Sequence, residues 1–108
     1  MQTTGKFILD DDDNPVEETD LIKWATWYET SAERRRVALD EINGKSISTI
    51  FLAMDFDFMF YRKGKPILWE TMIFDAKEHD IYSKRYTSLA DAKAGHAEAV
   101  KLVRSEFN

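Results

Sequence analysis

Five side chains have the acid–base or metal-ligand character that chemistry would need: Asp55, Asp57, Glu70, His79 and His96. Asp55 and Asp57 stand two apart in the run AMDFDF, so an extended strand would point both carboxylates to one face. Such a pair suits general acid–base work or a divalent cation. It equally marks the wet side of a half-buried strand. Glu70 lies in ILWETMIF with apolar neighbours on both strand faces, so a basic or hydrogen-bonding partner must meet it. Arg85, or one of Arg34, Arg35 and Arg36, would serve. His96 falls inside a helical apolar stripe beside Gly95 and reads as a core histidine bonded to a carbonyl or carboxylate. No Ser or Cys stands at motif spacing from it, and no glycine-rich phosphate loop or metal-ligand spacing stands out. These residues argue for a binding protein without cofactor or metal rather than for an enzyme.

Binding chemistry has better candidates. Arg pairs bidentately with phosphate, and aromatic faces stack on bases. Arg36 beside Phe51, and Arg85 beside Tyr82 and Tyr86, supply that combination. With Glu70 they form the expected ligand site. The same pairs would also serve as ordinary cross-strand contacts, worth about 0.2–1 kcal/mol each. Asp10, Asp11, Asp12 and Asp13 form a turn that is either solvated or an acidic surface for a basic protein. Four adjacent Asp lack the spaced ligands and later bidentate Glu of a calcium loop.

The elements that must position these residues follow from pattern. A short apolar run at Phe7, Ile8 and Leu9, the Asp turn, and Val16 after Pro15 suggest a small ribbon. Thr19 reads as the N-cap of a helix over 20–33, with Leu21, Trp24, Ala25, Tyr28 and Ala32 as its inward stripe. Trp27 lies off that stripe and so joins the candidate partner surface. Asn43-Gly44 is the strongest short hairpin signal, favouring a type I′ turn between strands 37–42 and 45–60. In that register Arg36 faces Phe51, Val37 faces Ile50 and Leu39 faces Ser48. Period two then sets Val37, Leu39, Ile50, Leu52, Met54 and Phe56 on the core side. Arg36, Ala38, Asp40, Ile47, Thr49 and Phe51 fall on the open side, where Ile47 and Trp69 suggest burial against another copy. Strands at 67–75 and 81–87 follow. Ser88 caps a last helix with Asp91 in its first turn, and the stripe Leu89, Ala92, His96, Ala99, Val100, Val103 and Phe107 faces inward. Gly95 in mid-helix costs about 1 kcal/mol against Ala, so a close contact should explain it. The expected fold is α+β, an antiparallel sheet of four to five strands with two helices on one face, in one domain of 108 residues.

Composition excludes several classes. There is no cysteine, hence no disulfide framework or thiolate zinc site, and a reducing compartment is the default. No signal peptide or membrane-length apolar run occurs, which points to the cytoplasm. The net charge of −5 is uneven: residues 1–20 hold one Lys against seven acids, and the remainder holds 14 basic against 13 acidic residues. A near-neutral body and an acidic segment disfavour duplex nucleic acid.

The ordered blocks NPV, WATWYE, RRVA, STIFLAMD, PILWETMIF and RYTSLADAKAGH resemble a family of small proteins encoded by tailed phages and prophages. That family reads approximately RRVA, STVFLGLDH, PLLFETMVFG and RYSTWEEAEAGH. The likeness runs over residues 14–100. It departs where Ala53-Met54-Asp55-Phe56 replaces the family's Gly-Leu-Asp-His. The resemblance implies a phage-type protein acting in the host cytoplasm against host defence. Two mechanisms are implied: a homo-oligomeric sponge that sequesters a nucleotide-derived immune signal, or an acidic inhibitor that docks a host protein through Asp10 to Asp13 and Trp27.

Overall fold

A computed structural model describes residues 5–55 and 65–106. Its elements are β1 (Phe7–Leu9), β2 (Pro15–Glu17), α1 (Leu21–Thr30), α2 (Ala32–Arg35), β3 (Arg36–Ile42), β4 (Lys45–Phe51), β5 (Trp69–Phe74), β6 (Asp80–Tyr86) and α3 (Leu89–Ser105). The protein is α+β. β1 and β2 form a two-stranded ribbon, while β3-β4-β5-β6 form an antiparallel meander with α3 packed across all four strands. The expected Phe56, Asp57 and Phe107 positions lie outside the described residues.

The β3–β4 turn follows directly from its residues. Asn43 and Gly44 both take positive φ, 54° and 79°, as a type I′ turn requires. Register from Ile42↔Lys45 to Ala38↔Thr49 is as expected, but a bulge between Arg36 and Ala38 then places Arg36 opposite Ile50 instead of Phe51. The bulge turns Val37 toward the core that contains Phe51.

The covered face of the sheet is the reverse of the expected one. Ile47, Thr49, Phe51, Trp69, Thr71 and Ile73 are buried under α3 and its neighbours, whereas Leu39 is 45% and Met54 44% exposed. Two physical reasons account for this. Extending period two through Leu52 and Met54 presumed a strand that in fact ends at Phe51, where Ala53 turns the chain at φ 63°. The two threonines made the true core face look wet, yet their hydroxyls bond to each other. Ile47 and Trp69 therefore offer no surface to another copy.

Helix α1 also corrects the expectation. Asp20, not Thr19, is the N-cap, accepting from the N–H groups of Ile22 and Lys23. Leu21 is exposed, and the inward pair is Trp24 with Trp27. Trp24 Nε1 donates to the carbonyls of Phe7 and Ala53, tying α1 to the ribbon and to the end of β4. Trp27 meets Phe51 edge-on, with ring centroids 6.0 Å apart.

At the start of α3, Ser88 Oγ accepts from Asp91 N–H, as the sequence indicates. Gly95 is where α3 approaches the sheet most tightly. A Cβ built there would lie 2.0 Å from the Tyr86 hydroxyl oxygen. Among the described residues no helix is long and apolar enough to cross a membrane.

Candidate functional site

The expected ligand residues are divided between the two sheet faces. Phe51 and Tyr86 are buried on the helix side, and Tyr82 packs there beside Ile47 and Ile73. Arg36, Glu70 and Arg85 form a row with Ile50 on the other side. Glu70 finds the partner its environment demands: Oε2 accepts from Arg85 Nε at 2.9 Å and from Ser83 Oγ at 3.0 Å. This is a charge-assisted pair with one side enclosed. Arg85 is thereby committed to Glu70.

The acidic turn is also partly committed. Asp10 Oδ1 accepts from the N–H groups of Asp12 and Asn14, closing the turn on itself. Asp13 pairs with Arg34 at 2.8 Å, and Arg34 also donates to the Asp10 carbonyl. Asp11 and Asp12 remain exposed at the turn's tip. Asp55 Oδ1 accepts from Ile67 N–H at 3.1 Å, bracing the chain before β5. His79 sits 3.5 Å from Asp75 in the β5–β6 connection. There the His79 N–H, with that of Lys77, holds the Asp75 carboxyl below its ordinary value. Among the described residues no group of three His, Asp or Glu converges on a metal position.

His96 anchors a polar chain that crosses the core. Its Nε2 donates to Asp40 Oδ2 at 2.7 Å, and its Nδ1 lies 2.8 Å from Thr49 Oγ1. Because a carboxylate only accepts, Nε2 carries a proton, while Nδ1 shares a hydrogen bond with the Thr49 hydroxyl. The Thr49 and Thr71 hydroxyls share a further hydrogen bond. The order Thr–His–Asp matches a nucleophile, base and carboxylate, but Thr49 is fully buried and no substrate could reach its hydroxyl. The chain's exposed end is Asp40, whose side chain is 52% accessible.

Asp40 opens into a groove of about 500 Å³ between the edge strand β3 and α3, a volume ordinary for a small-molecule site. Val37 and Ala38 from β3, with Ala97 and Val100 from α3, make an aliphatic floor. Lys93, Lys101 and Arg104 line the helix side. None of the three makes an ion pair with another described residue. The opposite flank of α3 differs: its groove of about 470 Å³ mixes Lys84 and Arg85 with Asp91 and Glu98. A third cavity of about 490 Å³, beside the first turn of α3, mixes Lys65 with Asp12 and Asp13. Only the β3 groove among these three holds cations in excess of carboxylates.

The expected sites did not include Lys93, Lys101 and Arg104. Their signal was present as helical spacing: 93, 97, 101 and 104 follow one flank of α3 at i, i+4, i+8 and i+11. What the sequence did not reveal was that this flank lies beside an edge strand.

Searches against protein-family models, curated proteins and solved structures find no match.

Proposed function

We propose that the protein is a non-enzymatic capture protein that holds an anionic, nucleotide-derived small molecule in the β3–α3 groove and so withdraws it from its receptor. The observation that carries this reading is the set of three cations, unpaired among the described residues, over an aliphatic floor. Cations with no ion-pair partner among the described residues are available to a ligand without first breaking such a pair. The enclosure of Thr49 supports capture over turnover, since the triad-like array found among the described residues has no accessible nucleophile.

The edge strand itself favours a small ligand over an added peptide strand. β3 is bulged at Arg36/Ala38 and carries Asp40 and Glu41, devices that discourage edge pairing. The anti-defence setting comes from the resemblance to phage proteins. In this chain, STIFLAMD supplies Thr49, PILWETMIF supplies Glu70 and Thr71, and RYTSLADAKAGH supplies Arg85, Tyr86, Gly95 and His96, with Lys93 of the groove standing where the family's block reads Glu. These blocks hold the packing of α3 on the sheet, so they speak for the fold more than for the ligand.

The test is recovery of an intact ligand. The protein is incubated with a nucleotide extract, purified, heat-denatured, and the released molecule weighed by mass spectrometry. A stoichiometric anion of unchanged mass supports capture. Release of a converted product, or of nothing, defeats the reading.

A further inference from the structure

We infer that the molecule held in the β3–α3 groove carries two anionic groups at the ends of an uncharged, donor-bearing body, and that Asp40 recognises the donor. This deepens the capture reading and rests on it.

The spacing of the cations carries the first half. At 1.5 Å rise per residue, Lys93 and Lys101 are separated by about 12 Å along α3, with Arg104 about 4–5 Å beyond. Ala97 lies midway between the two lysines, and Val37, Ala38 and Val100 complete an aliphatic stretch. One phosphate is far too small to bridge both cationic ends. A ligand that uses the whole groove therefore places one anion near Lys93 and another near Lys101 and Arg104, with an uncharged part over the floor.

Asp40 carries the second half. It is a carboxylate inside a groove of otherwise positive charge, and it repels any anion brought against it. Its Oδ2 is taken by His96, and its half-exposed side chain lines the groove. The group opposite Asp40 must therefore not be anionic and must be able to donate, as a sugar hydroxyl or the amino group of a base does. His96 acts here as a positioning residue: both ring nitrogens are spent on Asp40 and Thr49, and none is left for ligand. The chain from Thr71 through Thr49 and His96 fixes the carboxylate from inside the core, so the acceptor is preorganised. Within the nucleotide class, a ribose between two phosphoryl groups supplies the donor and both anions, the long flexible lysine side chains reaching inward to meet them.

The experiment is calorimetric titration of the whole chain with inorganic phosphate and with alkane-α,ω-bisphosphonates of two to ten methylenes. Adenosine 3′,5′-bisphosphate and its 2′-deoxy analogue follow. The expected result is an affinity maximum at an intermediate length, at least tenfold above phosphate, lost on either Lys93→Ala or Lys101→Ala. The ribose compound should bind about five- to tenfold tighter than the deoxy compound. Asp40→Ala should erase that preference, and bisphosphonates should bind it at least as tightly as the wild type because a repelling carboxylate is gone. If Asp40→Ala does not fold, Asp40→Ser serves, its shorter side chain drawing the acceptor back. Equal binding of phosphate and every bisphosphonate would leave the groove an anion site and overturn the two-ended ligand. A ribose preference that survives both Asp40 variants overturns the role of Asp40. Absence of binding by every probe removes the capture site itself, and this inference with it.

Discussion

Replacing Gly95 by Ala sets two effects of opposite sign against each other. Helix propensity alone favours Ala by about 1 kcal/mol at an interior position. Against it stands Tyr86: the new Cβ would lie 2.0 Å from Oη, 2.3 Å from Cζ and 2.4 Å from Cε1. Ordinary contact begins near 3.5 Å, so helix and ring must part by about an ångström or more. Tyr86 has little room to yield, because it is buried in the cluster of Phe51, Leu68, Trp69 and Ala92. Overpacking of this kind costs about 1–3 kcal/mol and occasionally more, and the depth of the overlap puts Gly95 at or above the top of that range. After the propensity gain is subtracted, the net loss is about 2 kcal/mol. For a domain of this size, that lowers the melting temperature by roughly 8–16 °C. Thermal unfolding followed by circular dichroism measures it directly. Truncating the ring by Tyr86→Leu should make Gly95→Ala less harmful, giving a coupling free energy in the double-mutant cycle. If Gly95→Ala raises the melting temperature, propensity has won and the close approach of α3 to β6 is refuted.

Other outcomes follow from the same geometry. Tyr86→Phe should be neutral or stabilising in thermal melts, because its buried hydroxyl has no hydrogen-bond partner among the described residues. Thr49→Val should destabilise by about 1–3 kcal/mol and more than Thr71→Val in chemical denaturation, since it strands both His96 Nδ1 and the Thr71 hydroxyl. Arg85→Ala should cost about 1–2 kcal/mol in the same assay by leaving Glu70 enclosed with Ser83 alone; the estimate is held down because Arg85 is half exposed. The lowered carboxyl of Asp75 adds stability that is complete above its unfolded value near ~3.9 and is lost as pH falls through the lower folded one. Asp75→Asn should therefore flatten the acid limb of stability in that window.

Much of the fold is legible where a local rule has a single solution. Asn43-Gly44 admits one tight turn, Ser88 with Asp91 marks a helix start, and an enclosed Glu70 requires an Arg. Gly95 announced a close contact without naming Tyr86. The choice of sheet face was not legible, because both faces of β4 and β5 mix apolar residues with others. It turned on two threonines, one in β4 and one in β5, whose hydroxyls bond to each other, Thr49 also meeting His96 of α3 47 residues further on. The bulge at Arg36/Ala38 has no local signature either, and it moved Arg36 away from Phe51. The arginines and aromatic rings that suggested a ligand site lie on opposite faces of the sheet, and Arg85 is held by Glu70. The cations of α3 became a candidate site only once the helix was seen to flank the β3 edge.

The central claim is that the β3–α3 groove captures an anionic small molecule, and thermal unfolding of the wild type against the Lys93→Ala/Lys101→Ala/Arg104→Ala variant tests it most directly. Both are melted with a panel of linear and cyclic nucleotides. A ligand at 100 times its dissociation constant adds about 2.7 kcal/mol, a rise of roughly 11–22 °C at this size. The account predicts such a rise with at least one nucleotide for the wild type and its loss in the triple variant. A flat panel, or an equal rise in both proteins, would contradict it.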